Sequence, residues 1–103
     1  MKNTKLFNRI IYLDERRTSM RLCTKEWEAL KDICKKEKLS RNTLIQLIEK
    51  HKDDELGLSY STRLFITCYY KEAATEAGHR IAGHGIPDNH TTLTNAIKKL
   101  FTS

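Results

Sequence analysis

Between Arg17 and Leu22 polar and apolar side chains alternate without a break. Arg17, Ser19 and Arg21 fall on one side, and Thr18, Met20 and Leu22 on the other. Strict alternation of this kind predicts a half-buried β-strand. Just downstream the apolar spacing changes to three and four, so the strand stands almost alone. A lone strand leaves backbone groups unpaired along both edges and is marginal in water. One available partner is the short β-prone cluster Ile10-Ile11-Tyr12-Leu13, separated from the strand by a polar break at Asp14-Glu15. The other is the same strand of a second copy, related by a two-fold axis. A chain of 103 residues buries little apolar surface alone. The expectation is therefore an intertwined homodimer whose two strands form an antiparallel ribbon.

Helices follow. Thr24 is a suitable N-cap, with Glu26 and Glu28 in the first turns, where the helix dipole favours negative charge. Trp27, Leu30, Ile33 and Cys34 lie on one stripe, and Lys35, Lys36 and Lys38 sit near the C-terminal end. Ser40 caps a second helix carrying Leu44, Ile45, Leu47 and Ile48, which runs to about Lys52. A third helix begins near Ser59. Its apolar residues, from Tyr60 and Leu64 through Tyr70 to Ala77, spread around most of the circumference, which predicts a buried helix ending at Gly78. Residues 79–90 read as turns, with Gly83, Gly85, Pro87, Asp88 and Asn89 as breakers. A last short helix is expected from Thr92 to Phe101, with Leu93, Ala96, Ile97, Leu100 and Phe101 on one side.

Charge is uneven. The net charge is +6, and +5 of it lies in the first 25 residues, where Lys2, Lys5, Arg9, Arg16, Arg17, Arg21 and Lys25 face only Asp14 and Glu15. A basic segment on a nearly neutral body points to a polyanionic partner, nucleic acid before an anionic membrane. No apolar run is long enough to span a membrane. The arm forms no clear amphipathic helix for a membrane surface, and nothing resembles a secretory signal. Cys23, Cys34 and Cys68 are odd in number and widely spaced. They read as reduced structural thiols of a cytoplasmic protein. His79, His84 and His90 with Cys68 fit no structural zinc spacing, so no metal site or other cofactor is expected. No nucleophile stands beside an obvious base, so an enzyme is not expected.

A two-stranded ribbon fits the major groove of B-DNA. Its outward face would present Arg17, Ser19 and Arg21 from each chain as base contacts, arginine being the commonest bidentate reader of guanine. Lys2, Lys5, Arg9, Arg16 and Lys25 would contact phosphates. Backbone N–H groups at the start of the second helix, near Ser40 and Arg41, would clamp another.

These residues, in this order, resemble the ribbon-helix-helix superfamily of bacterial DNA-binding proteins. The similarity is greatest to a small subgroup with an Arg-Thr-Ser strand, a Trp-x-Ala-Leu helix and a second helix opening with Leu-Ser. Here these read Arg17-Thr18-Ser19-Met20-Arg21-Leu22, Trp27-Glu28-Ala29-Leu30 and Leu39-Ser40-Arg41-Asn42-Thr43-Leu44-Ile45. Leu64-Phe65 within Ser61–Ile66 looks like the subgroup's third-helix motif. The resemblance covers roughly residues 9–72. It implies a mainly α, dimeric fold with base contacts from Arg17, Ser19 and Arg21. The chain departs from the pattern at Lys38, where such proteins often have glycine between the helices, and at Glu15, where the subgroup has a small residue.

The expected organisation is a basic arm over 1–8, a ribbon-helix-helix core over 9–56, a third helix over 57–78 packed on it, and a turn-rich tail over 79–103. The leading function is a dimeric, sequence-specific regulator of double-stranded DNA: a transcriptional repressor or a plasmid- or phage-type accessory protein. An antitoxin-like protein is the first alternative, its tail docking a partner through Leu93, Ala96, Ile97 and Leu100. A protein–protein adaptor that has lost DNA binding, and works through the third helix, is the second.

Overall fold

The computed structural model describes residues 5–81 and 91–100. The chain forms β1 (Leu6–Tyr12), β2 (Arg17–Cys23), α1 (Thr24–Glu37), α2 (Arg41–His51), α3 (Leu58–Ile81) and α4 (Thr91–Lys98). The alternating segment is β2, as its period requires. Of its two candidate partners, the chain's own upstream segment pairs with it along one edge. β1 and β2 pair antiparallel over seven residues each, from Leu6 opposite Cys23 to Tyr12 opposite Arg17. β1 begins four residues before the apolar cluster that announced it. Leu6, Asn8, Ile10 and Tyr12 share its outward side, and apolar side chains on both sides hide the period of two.

The hairpin closes through Asp14-Glu15. The Leu13 N–H donates to the Arg16 carbonyl at 2.8 Å. Neither turn residue has positive φ, so the glutamate that departs from the family pattern is unstrained. The turn is fastened to α2: the Asp14 N–H donates to Gln46 Oε1 at 3.0 Å, and Arg16 Nη2 meets Glu49 Oε2 at 3.0 Å.

The helix starts are fixed by capping. α1 begins one residue earlier than Thr24 as cap implied: Cys23 is the N-cap, and its N–H donates to the Glu26 carboxylate at 2.9 Å. Ser40 caps α2, its Oγ accepting from the Thr43 N–H at 3.1 Å. Between these helices Lys38 adopts the left-handed conformation, φ 60° and ψ 44°. The departure from glycine at this position is thus accommodated, at a steric cost to a side chain bearing Cβ.

Ile11, Met20 and Leu22 face inward from the hairpin onto Leu30 and Ile33 of α1 and Leu44, Ile45 and Ile48 of α2. α3 packs against β2, α1, α2 and α4, which explains its near-uniform apolar circumference. It runs through Gly78 to Ile81, beyond the expected stop. α4 joins the same core through Leu93, Ala96, Ile97 and the following Leu100. The apolar face that suggested a docking tail is therefore occupied by this chain's own α3 and α2. His84, His90 and Phe101 lie outside the described residues, as does most of the expected turn segment. Among the described residues no group of three or more metal-ligating side chains comes together. No described helix is long and apolar enough to cross a membrane.

Candidate nucleic-acid interface

Residues directly opposed in an antiparallel pair share a face, and successive residues alternate. The observed register therefore builds an outward face of two rows: Leu6, Asn8, Ile10 and Tyr12 from β1, and Cys23, Arg21, Ser19 and Arg17 from β2. Arg17, Ser19 and Arg21 are all exposed there, so the three expected base contacts lie side by side on solvent. Beside them, Ile10 and Tyr12 are 51% and 59% exposed, unusual for large apolar groups that no described neighbour covers. Arg21 Nε donates to Asn8 Oδ1 at 3.3 Å across the strands.

The backbone of Arg21 is held from the opposite edge. Its N–H donates to Ser59 Oγ at 3.3 Å, and its carbonyl accepts from Arg63 Nη2 at 2.9 Å. Arg63 Nε also reaches both Glu26 carboxylate oxygens, at 3.2 and 3.0 Å. Burial pushes the Glu26 carboxyl up, but the Cys23 N–H and the Arg63 guanidinium together outweigh it and hold the group below the usual carboxylate range. The first turns of α3 thus hold the outer edge of β2 at Arg21, and Glu26 of α1 holds it at Cys23. Sequence reasoning missed this network. Glu26 reads as a helix-dipole residue, and nothing local links it to Arg63, 37 residues away.

The expected phosphate contacts fall at several places around the hairpin and the helix starts. Lys5 is exposed at the start of the hairpin. Lys25 is exposed at the start of α1, 4.0 Å from Glu28. Arg16 is committed to Glu49. Arg9 lies opposite Met20, on the other face of the ribbon. Its guanidinium and that of Arg41 sit 5.2 and 5.6 Å from the Trp27 ring centre, in cation–π range. With Phe7, Lys31 and Cys34 they line an open groove of about 620 Å³. Burial raises the Cys34 thiol, the positive charge of Arg41 working against it, so this cysteine is a packed thiol rather than a reactive one. Trp27 is a core anchor whose Nε1–H donates to the Phe7 carbonyl at 3.1 Å. Ser40 Oγ is engaged in its cap and with Thr43 Oγ1. Lys2 lies outside the described residues.

Arrangement and charge together suit a duplex polyanion: a ribbon of groove width, with two arginines and a serine on its solvent face and lysines at its ends. Comparison with known families is consistent with this geometry. The model of a family described as "Ribbon-helix-helix domain" matches residues 6–70, which takes in the hairpin, α1, α2 and the first half of α3. No curated protein and no solved structure matches the chain.

Proposed function

The chain belongs to the ribbon-helix-helix family of DNA-binding regulators, and from that premise we propose that it is a sequence-specific regulator that reads the major groove with the outward face of its β-ribbon. The observation that carries the reading is the exposure of Arg17, Ser19 and Arg21 on one face of a two-stranded antiparallel ribbon. That ribbon lies in the 25-residue segment that holds +5 of the net +6. In this reading the two guanidiniums take guanine O6 and N7, Ser19 bonds a neighbouring base, and Lys5 and Lys25 fix the ribbon on the flanking phosphates. Arg9 and Arg41 serve a phosphate only where the backbone curves round to the Trp27 groove. Repression, or an accessory role on a plasmid or phage, is the regulatory task. A cytoplasmic homodimer would set two reading units on half-sites about one helical turn apart.

The test is binding of a fluorescent random-sequence duplex at two salt concentrations. With about five phosphate contacts, raising salt from about 50 to about 200 mM should weaken wild-type binding by roughly two to three orders of magnitude. The Arg17→Ala/Arg21→Ala double variant should bind far more weakly at low salt and show a shallower salt slope. No binding by wild type at low salt would sink the proposal. It would favour the adaptor reading instead, for which the exposed Tyr60 and Tyr70 of α3 are the surface to examine.

A further inference from the structure

Arg9 comes from β1 and Arg41 from the first turn of α2, yet both guanidiniums stand by one ring, 5.2 and 5.6 Å from the centre of Trp27. Like charges gathered this way repel each other. Among the described residues no carboxylate pairs with either. Lys31 brings a third positive charge to the groove around them. The one acid there, Glu28, has a side chain 61% exposed and lies 4.0 Å from Lys25. The groove thus holds an excess of positive charge that the chain leaves unneutralised.

The rest of its lining is apolar. Trp27 and Cys34 are each 8% exposed, and Phe7 stands half open beside them. The Trp27 ring is fixed by its hydrogen bond to the Phe7 carbonyl. Burial raises the Cys34 thiol and the charge of Arg41 opposes it, so the field of Arg41 reaches this apolar lining. At about 620 Å³ the groove has the size of a small-molecule site, for which about 300–1,000 Å³ is usual. Its walls come from β1, α1 and α2, and no described residue of β2 lines it. Strand pairing along the outer edge of β2 therefore uses none of these groups.

We propose that this groove binds a small aromatic anion, its ring seated on Phe7 and Trp27 and its carboxylate or phosphate held by Arg9 and Arg41. The inference does not rest on the DNA reading.

The ligand class follows from what the groove leaves unsatisfied. A guanidinium fork matches the oxygens of a carboxylate or a phosphate in pairs. In apolar surroundings each such bond is stronger than the same bond in open water. Arginines already resting on a fixed ring lose less freedom on binding than free surface side chains do. An uncharged ring would cover the apolar lining and leave both cations unpaired. An inorganic anion would pair the cations and leave Phe7 in water. A ring bearing one anionic group does both, and its face and edge suit aromatic neighbours.

The experiment titrates the full chain at low salt with phenylacetate, phenyl phosphate, phenylacetamide and inorganic phosphate. Calorimetry measures the affinity. The fluorescence of Trp27, the single tryptophan of the chain, reports whether binding is at the groove. One or both aromatic anions should bind saturably at millimolar concentration or below and change the Trp27 emission. The tighter of the two names the anionic group. Phenylacetamide and inorganic phosphate should each bind at least about tenfold more weakly. Arg9→Ala/Arg41→Ala should weaken the aromatic anions by about tenfold or more, whereas Lys35→Ala/Lys36→Ala, an equal loss of charge outside the groove, should not. Thermal scans of both double variants check that the exposed substitutions leave the fold intact.

Absence of saturable binding by either aromatic anion would overturn the proposal. So would equal affinity for phenylacetamide, which would make the groove a merely apolar recess. Equal affinity for inorganic phosphate would overturn it in favour of a plain phosphate contact, of the kind a DNA backbone offers. Binding that Arg9→Ala/Arg41→Ala retains would place the ligand elsewhere. None of these outcomes bears on the duplex titration above, which succeeds or fails separately.

Discussion

Lys38 holds the α1–α2 turn in a conformation that glycine would take without strain, and no side-chain partner of Lys38 compensates among the described contacts. Lys38→Gly should relieve about 1 kcal/mol of steric strain, partly offset by the greater freedom of glycine in the unfolded chain. The expected outcome is a melting temperature raised by a few degrees in a thermal scan; a fall would show that the lysine earns its place by other means. Tyr69 makes the opposite case. Its hydroxyl donates to Glu37 Oε2 at 2.6 Å, both groups being buried, and so ties α3 to the end of α1. Tyr69→Phe removes that donor and keeps the ring, and should cost about 1–3 kcal/mol in denaturant unfolding. Of these two residues, Lys38 stands out in the sequence as a departure at a turn position. Tyr69 reads only as one more apolar position, because its partner comes from a different helix.

At the scale of elements, the contact of most consequence is the one between the start of α3 and the edge of β2. Glu26 is held below the ordinary carboxylate range in the folded chain. A depressed folded value means that its contribution to stability is fully present above the unfolded value of about 4.3 and is lost as pH falls through the folded value. Wild-type stability should therefore fall between about pH 4.5 and more acid conditions. In Arg63→Leu that acid-dependent part should shrink, with a loss of roughly 1 kcal/mol at neutral pH, modest because the pair is partly exposed. Parallel pH profiles of wild type and variant, obtained by urea unfolding, would check both statements. Coinciding curves would remove Arg63 from the account. Capping and period made α1 and α2 legible to within a residue or two. The extent of β1 and of α3 was not: β1 is set by its register against β2, and α3 continues past the glycine that reads as its stop.

Across the whole molecule, one core joins the hairpin to all four helices. The C-terminal segment is part of that core and not an appendage. Ala96 is fully buried, in α4, which packs on α3. Ala96→Asp places a carboxylate there, and should cost more than about 3 kcal/mol and lower the melting temperature by well over 10 °C. A small shift would mean that α4 contributes little to the fold. An antitoxin-like tail would need to release this helix to expose Leu93 and Ile97, so partner capture and stability would compete in this chain.

The alternation from Arg17 to Leu22, the Trp27–Leu30–Ile33 stripe and the Ser40 cap are local signals. A period or a cap is written within a few residues, and these marked out β2, α1, α2, the basic outward face and the family resemblance. The pairing of β2 with β1, the fastening of Arg21 by Ser59 and Arg63, the separation of Arg9 and Arg41 from the outward face of β2, and the fate of the tail's apolar side were decided by contacts between distant segments. Two pairings of β2 satisfied the same alternation and the same backbone groups. The pairing with β1 is fastened at the Asp14-Glu15 turn by Gln46 and Glu49, and the far edge of β2 is held at Arg21 by Ser59 and Arg63, contacts that have no local pattern to reveal them.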